Sequence, residues 1–434
     1  MSLKKALKLS SLTLALGAMA STGYAADSTE IAQLRAEIQE LRALVQQQGQ
    51  QLAVQQNTVQ QTSQQLQAVQ SSPAVIVDPQ NLKLTTKKGA EVDVYGFIRG
   101  DANYIIEGAD DDFNSVASST GGTKDKLVAT AKTTRIGLDF KTPVAGQDVG
   151  GKVEVDFAGN GSGENLRIRH AYLTLNNWLF GQTTSNFLSN HAPEMIDFGT
   201  NIGGGTTRIP QVRYNFKLAP ETQLLFSAEE GKSSQASYDV DDAEWGTTSA
   251  KYKLPVFTAK LNQGFADGKG NVSVRGMAER YEAASDNDSD DTGWGLAAGV
   301  SFQVAEPLKL TADVSHVEGN SNYLYGSNSA FAVDADGNLA QNEFNAFQVG
   351  ATYKILPNLR STLGYGAMFA DDDSEYADIV TTANKEVQQA WINFIYSPVK
   401  PVDLGIEYIN GKRETFAGDD YKDNRVGFMA RYNF

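Results

Sequence analysis

Between residues 91 and 434 the chain repeatedly alternates apolar with polar or charged side chains, and it does so without any long apolar run. In "EVDVYGFIRGDANYII", Val92, Val94, Ile98, Ala102, Tyr104 and Ile106 share one phase, while Asp93, Arg99, Asp101 and Asn103 share the other. Ile136, Leu138 and Phe140 oppose Arg135, Asp139 and Lys141, and Val212, Tyr214 and Phe216 oppose Arg213, Asn215 and Lys217. Val402, Leu404, Ile406 and Tyr408 oppose Asp403, Gly405 and Glu407. A period of two is the side-chain period of a strand, so each segment has one apolar and one ionic face. That ionic face is too rich in charge for the dry core of a sandwich. It suits a wet lumen enclosed by a wall whose other face meets lipid, which predicts an all-β fold: a transmembrane antiparallel up-and-down β-barrel.

Composition agrees. The 434 residues include 40 glycines, 17 tyrosines and 20 phenylalanines, only 41% are hydrophobic, and there is no cysteine. Beyond the N-terminus no run of about 18 uncharged apolar residues occurs, which excludes a helical membrane protein; a barrel needs apolar residues only at alternate positions. Without cysteine there is no disulfide framework, as suits a large hydrogen-bonded barrel better than a small secreted domain.

The first 25 residues have the plan of a secretory signal peptide: Lys4, Lys5 and Lys8, an apolar centre from Leu9 to Ala20, and small residues before a cut after Ala25. Residues 26–70 then carry a heptad repeat. Ile31, Ile38, Val45, Leu52, Val59 and Leu66 occupy one position, and Leu34, Leu41, Gln48, Gln55, Thr62 and Val69 the position three further on. With Glu30 placed to pair with Arg35, and Glu37 with Arg42, the pattern predicts a parallel, self-associating periplasmic coiled coil roughly 65 Å long. Ile at the first position with Leu at the second favours two strands by the simple rule, and the polar middle admits a flexible tether instead. Residues 71–90, with Pro73 and Pro79, form a linker to the barrel.

Within 91–434, seventeen strand candidates emerge; the two flanking Pro255 are read as one kinked strand over 245–265, giving 16 strands, with 18 as the alternative. Tight connections contain proline, as in "LAPET", "AEPLK", "LPNLR" and "SPVKPVD", and alternate with long acidic ones such as "EGADDDFNS", "ASDNDSDDTG" and "ADDDSEYADIV". Short periplasmic turns and long outer loops are the asymmetry of an outer-membrane barrel. The last segment, "RVGFMARYNF", puts Val426, Phe428, Ala430, Tyr432 and Phe434 on the lipid face, where the final strand closes against the first.

These rows, the closing aromatic, the Gln-rich heptads and the opening "VDVYGFIRGDANY" together resemble Gram-negative outer-membrane porins, most closely the DcaP-type dicarboxylate channels. The resemblance implies a homotrimer with one pore per subunit, passage of small anionic solutes such as dicarboxylates, and recognition of Phe434 by the barrel-assembly machinery. It also implies that the loop after strand five, residues 185–208, folds inward as a constriction carrying His191, Glu194 and Asp197.

The formal charge of −15 argues naively for a cation channel, but its distribution does not. Six long connections (107–126, 231–244, 283–292, 319–343, 370–385, 414–421) hold 24 acidic and 4 basic residues, whereas the rest of 91–434 has 23 acidic and 25 basic. The spanning walls are therefore near balance and can carry a local basic stripe. Arg99, Arg135, Arg213, Arg275, Arg360, Arg425 and Arg431 fall on the lumen phase, where guanidiniums would attract and grip carboxylates, or else pair with wall acids such as Asp101, Asp139 and Glu154. Arg167 and Arg169 are also expected to line the pore. In "LRIRHAYLTL", however, they share phase with Leu173 and Leu175, so a bulge must intervene or one group faces wrongly.

Other motifs fail their own chemistry. "DNDSDDTG" resembles a calcium loop but has Asp291 where glycine is needed and no glutamate at position twelve. "GNGSGEN" has no following helix to cradle phosphate, and His170, His191 and His316 are isolated. The triple glycine 203–205 most simply gives its loop mobility. No cofactor, metal, nucleic-acid partner or enzymatic activity is expected; the alternative function is an envelope spacer in which the coiled coil links outer membrane to cell wall.

Overall fold

A computed structural model describes residues 90–434 apart from 160–162, 240–243, 285–288 and 335–336, together with the backbone of 76–77 and 83–85. The expected signal peptide and coiled coil lie outside the described residues. Sixteen strands form the barrel. They are Glu91–Gly108 (β1), Thr123–Thr130 continued by Arg135–Val144 (β2), Gln147–Asp156 (β3), Arg167–Leu175 (β4), Trp178–Thr184 (β5), Arg208–Ala219 (β6), Thr222–Glu229 (β7) and Lys251–Tyr252 continued by Val256–Phe265 (β8). Gly270–Glu282 (β9), Asp290–Ala305 (β10), Leu308–Glu318 (β11), Glu343–Leu356 (β12), Leu359–Ala370 (β13), Asn384–Val399 (β14), Val402–Thr415 (β15) and Asp420–Asn433 (β16) complete it.

Each strand pairs antiparallel with its neighbour, and β16 returns to β1 through pairs such as Val426 with Tyr104 and Tyr432 with Ile98. The seam ends where Phe434 donates its N–H to the Gly96 carbonyl at 3.0 Å and accepts the Gly96 N–H at 3.1 Å. Closure leaves no free edge, which is the condition for strands to cross hydrocarbon. Seven connections on one rim have two to four residues, whereas the opposite rim carries connections as long as 185–207 and 319–342.

The outward phase is apolar around the ring: Ile98, Leu138, Val153, Phe226, Val314, Leu363 and Phe428 are exposed. Trp178, Tyr214, Tyr353, Tyr396 and Tyr432 lie toward the short-turn rim, and the Trp178 ring meets Tyr214 edge-on at 4.7 Å. An aromatic girdle of this kind sits at the lipid–water interface.

Two local readings need correction. Residues 244–249 do not extend β8. They pair with 234–239 in a separate four-stranded sheet completed by Phe331–Val333 and Leu339–Gln341 in the long loops. Trp245 there packs on a cluster of Ala236, Ala332, Ala340, Tyr376 and Val380, so alternation satisfied by a loop sheet looks the same as alternation in the wall. Within the linker, Ile76–Val77 pairs with Lys83–Thr85, which pairs with Glu91–Asp93 at the start of β1. Finally, Gly203 and Gly205 serve packing. A Cβ on Gly203, where φ is +81°, would come within 2.1 Å of the Phe347 carbonyl oxygen, and one on Gly205 within 2.0 Å of the Tyr323 carbonyl oxygen.

The phase conflict in β4 is resolved by the bulge it demanded. Glu154 of β3 faces His170 and the next residue, Val155, faces Ile168, so Arg169 is the extra residue and the alternation reverses there. Arg167 consequently shares the lumen with Asp156, while Leu173 remains 45% exposed on the outside.

The lipid assignment has a direct test. A charge at Val314, 55% exposed in the middle of β11, would be costly against hydrocarbon, so Val314→Arg should lower the unfolding free energy by about 2–4 kcal/mol in urea titrations of the vesicle-inserted barrel. An unchanged midpoint would place that face against water.

Candidate channel lumen and constriction

The loop 185–207 folds into the barrel. Its root is held at β7, where Asn186 donates its N–H to Glu229 and its Nδ2 to Ser227. Its middle lies on β8 and β9: Lys260 Nζ donates to the Leu188 carbonyl at 2.8 Å, and His191 Nε2 lies 3.1 Å from Ser273 Oγ. Its tip lies on β13 to β15, where Arg360 grips Glu194 with two bonds of 2.7 Å and Glu407 accepts the N–H groups of Ile196 and Asp197.

Two further loops follow it inward. Asn114 donates its N–H to Asp197, and Tyr323 donates its hydroxyl to Glu229. Val116, Phe187, Leu188, Ile202, Tyr323 and Leu324 from these loops meet lumen-phase Met277, Val317, Phe344, Met368 and Val387 in one buried cluster. The lumen is therefore not uniformly wet, since its β8–β14 side is filled by a dry plug. Among the described residues, no hydrogen bond or ion pair ties the loop between Asn186 and Thr206 to β2–β5.

The expected constriction residues act in this packing. His191 is only 2% exposed, and burial together with the nearby Arg275 and Lys260 charges pushes its pKa down to about 4, so it is neutral at pH 7. Asp197 accepts the N–H groups of Asn114 at 2.9 Å and Gly199 at 2.7 Å. Burial nevertheless pushes its carboxyl up to about 6, with Arg425 opposing the shift and Asp423 adding to it.

The nine expected arginines divide by their partners. Arg99 is bidentate on Asp101, donates to the Ile196 carbonyl and lies 4.3 Å from the centre of the Phe198 ring. Arg275 pairs with Asp313 at 2.6 Å, and Arg425 pairs with Asp423 at 2.9 Å. These three guanidiniums are sealed from solvent, each beside its own carboxylate. Arg431 is partly exposed and paired with Asp403, Arg360 is committed to Glu194, and Arg213 donates to Gln211 and to the Thr184 carbonyl.

Arg135, Arg167 and Arg169 form a different group, on β2 and β4, where the loop leaves the wall uncovered. Arg167 is bidentate on Asp156 with its side chain 43% exposed, and Arg169 bridges Glu154 and Asp156. Arg135 reaches Glu154 only at 3.4 Å, and its Nε has no hydrogen-bond partner. Tyr95 also spends its hydroxyl on Glu154, at 2.8 Å.

Arg208, the first residue of β6, lies within electrostatic range of all three and has an unpartnered Nε. Four guanidiniums thus share two carboxylates, an excess of two positive charges at one stretch of wall. Arg208 escapes sequence reasoning because it shares phase with Val212 and Tyr214, and alternation says nothing about the residue at which a strand begins. Lys260, with carbonyl and amide acceptors only, is a further lumen cation on β8.

Asp197 supplies a pH prediction. A carboxyl raised from 3.8 to about 6 stabilises the packed loop most below its ordinary value, and that contribution is lost as pH rises through about 6. Hydrogen exchange across residues 190–200, corrected for the intrinsic rate, should show more protection at pH 5 than at pH 7.5, and Asp197→Asn should reduce the difference.

Comparison with known proteins agrees with this architecture. The DcaP outer membrane protein family matches residues 23–434. The crystal structure of the outer membrane channel DcaP of Acinetobacter baumannii is similar at 62% identity and a TM-score of 0.77, covering 81% of this chain and 99% of that one. The anion-selective porin from Comamonas acidovorans (13% identity, TM-score 0.51, 80% and 100% covered) and outer-membrane OmpT of Vibrio cholerae (14%, 0.50, 80% and 98%) share the fold. A search of curated proteins finds no match. The chain belongs to the DcaP outer membrane protein family and is an outer-membrane channel of the porin kind.

Proposed function

We propose that this channel passes small anions by passive diffusion, dicarboxylates foremost, and that it does so as a homotrimer with one pore per subunit. The observation that carries the charge preference is the excess of two positive charges at Arg135, Arg167, Arg169 and Arg208, on the side of the lumen that the loop does not cover. A dianion would neutralise that excess, and planar guanidiniums grip carboxylates with paired bonds. A pore ringed by low-dielectric material focuses such a charge, and sharing two acids among four arginines keeps the grip weak enough for release. The long connections hold 24 acidic against 4 basic residues, so the negative excess of the −15 chain lies there, away from this wall. Arg99, Arg275 and Arg425 are structural in this reading, since burial and private carboxylates remove them from the solute path. Phe434, closing the seam beside Gly96, is the residue offered to the assembly machinery.

Reversal potentials in planar bilayers under a salt gradient test the reading. The wild-type protein should prefer chloride to potassium, and Arg167→Gln with Arg169→Gln should move the potential toward cation preference; a cation-preferring wild type would sink the proposal. Arg425→Met should behave oppositely. It should leave selectivity nearly unchanged while costing about 3–5 kcal/mol of stability in urea, because Asp423 is left buried and unpaired. A large selectivity change in Arg425→Met would put that guanidinium in the pore.

A further inference from the structure

The lumen carboxylates fall into two classes. Asp101, Glu154, Asp156, Asp313, Asp403 and Asp423 each face an arginine. Glu229, Glu279 and Glu407 are as deeply buried, at 1%, 3% and 0% exposure, yet among the described residues none has a cation at salt-bridge distance. Their donors are neutral, and each set includes one from an inward loop. Glu279 accepts from Tyr252, Ser233 and Asn320. Glu229 accepts from Thr258 Oγ1, the Tyr323 hydroxyl and the Asn186 N–H at the loop's root. Glu407 accepts the Ile196 N–H at 2.8 Å and Asn393 Nδ2 at 2.9 Å on one oxygen, and the Asp197 N–H at 2.8 Å on the other.

A buried carboxylate without a cation is costly to keep, so these three are explained by what they hold. Two consecutive backbone N–H groups aimed at one carboxylate make a strong and directional clamp. The clamp needs acceptors on both oxygens: a glutamine in place of Glu407 would turn an NH₂ group toward an N–H donor.

We propose that Glu407 and Glu229 are positioning residues of the channel, clamping tip and root of the inward loop so that it stays on the plug side and leaves the basic wall open. The proposal rests on the channel reading and is independent of the sign of the charge preference. Ile196 completes the seat at the tip by packing on Ile395 and Met429. Without Glu407 the Ile196 and Asp197 N–H groups lose their acceptor while Arg360 still holds Glu194 and Arg99 the Ile196 carbonyl, so the tip loosens and enters the remaining aperture intermittently, with the wall chemistry unchanged.

Single-channel recordings of Glu407→Gln and Glu229→Gln, with Glu375→Gln on the outer helix Glu375–Ile379 as control, test this. The expected result for both clamp variants is flicker, with occupancy of reduced-conductance levels rising about tenfold or more, while the control matches wild type. Wild-type noise in Glu407→Gln overturns the proposal.

A cross-link separates position from charge. A Cβ on Gly405 would lie 2.5 Å from Ile196 Cδ1, and the chain has no cysteine of its own, so I196C/G405C introduces a single thiol pair across the seat. Oxidising that pair in the Glu407→Gln background should restore steady conductance although the carboxylate is still missing, and flicker that persists after oxidation counts against the clamp. Should Glu407→Gln fail to insert, oxidation of the pair in the wild-type background decides: conductance should not change, because the loop already sits there, and a change shows that it does not. The reversal potential in the same wild-type recordings reports separately on anion preference.

Discussion

Inside hydrocarbon every backbone N–H and C=O must find its partner within the protein, and the whole molecule follows from meeting that demand by closure. Sixteen strands pair in order and the last returns to the first, so no edge is left open. Once the backbone is satisfied in this way, side chains are free to take opposite solvents on alternate residues. Val314 and Phe428 meet lipid while Arg275 and Glu407, on the same wall, lie in the lumen. The energetic question then moves from the backbone to the charges enclosed by the cylinder.

Those charges are settled locally, in three ways. Arg99, Arg275 and Arg425 each have a private carboxylate, which leaves the wall neutral and rigid where the loops cover it. Glu229, Glu279 and Glu407 have no such cation among the described residues and are held by hydroxyl, amide and backbone donors, including some from the loops that enter the barrel. Along β2, β4 and the start of β6 four guanidiniums face two carboxylates, and there the wall is uncovered. The loops and the basic wall are thus complementary parts of one arrangement: the first narrows the lumen from one side, and the second gives the remaining passage its field.

Much of the barrel could be read along the chain, because a period of two, proline turns and a closing aromatic are local signals. The strand count and the lumen phase of the arginines come from such signals, whereas the inward loop after β5 was implied only by the family resemblance. The bulge at Arg169 was visible as a contradiction between Arg167 and Leu173. Misreadings arose where a local pattern had two tertiary outcomes. Residues 245–249 alternate whether they join the wall or a loop sheet, and Gly203 to Gly205 permit motion or close packing with equal ease. His191 could line a pore or be buried beside Ser273, and nothing adjacent in sequence distinguishes the two.

Alternation along each strand determined that this chain would be a barrel with greasy outside and ionic inside, since between bulges the face a side chain takes follows its parity. Which ionic residues meet one another was left to the closed fold. Arg360 finds Glu194, Asp423 receives the Ser115 N–H, and Glu407 receives that of Ile196, each across more than 150 positions of chain. Pairing across a lumen depends on register, on bulges and on how far a loop folds in. An arginine therefore becomes a structural counter-ion or a solute contact only when the cylinder has closed around it.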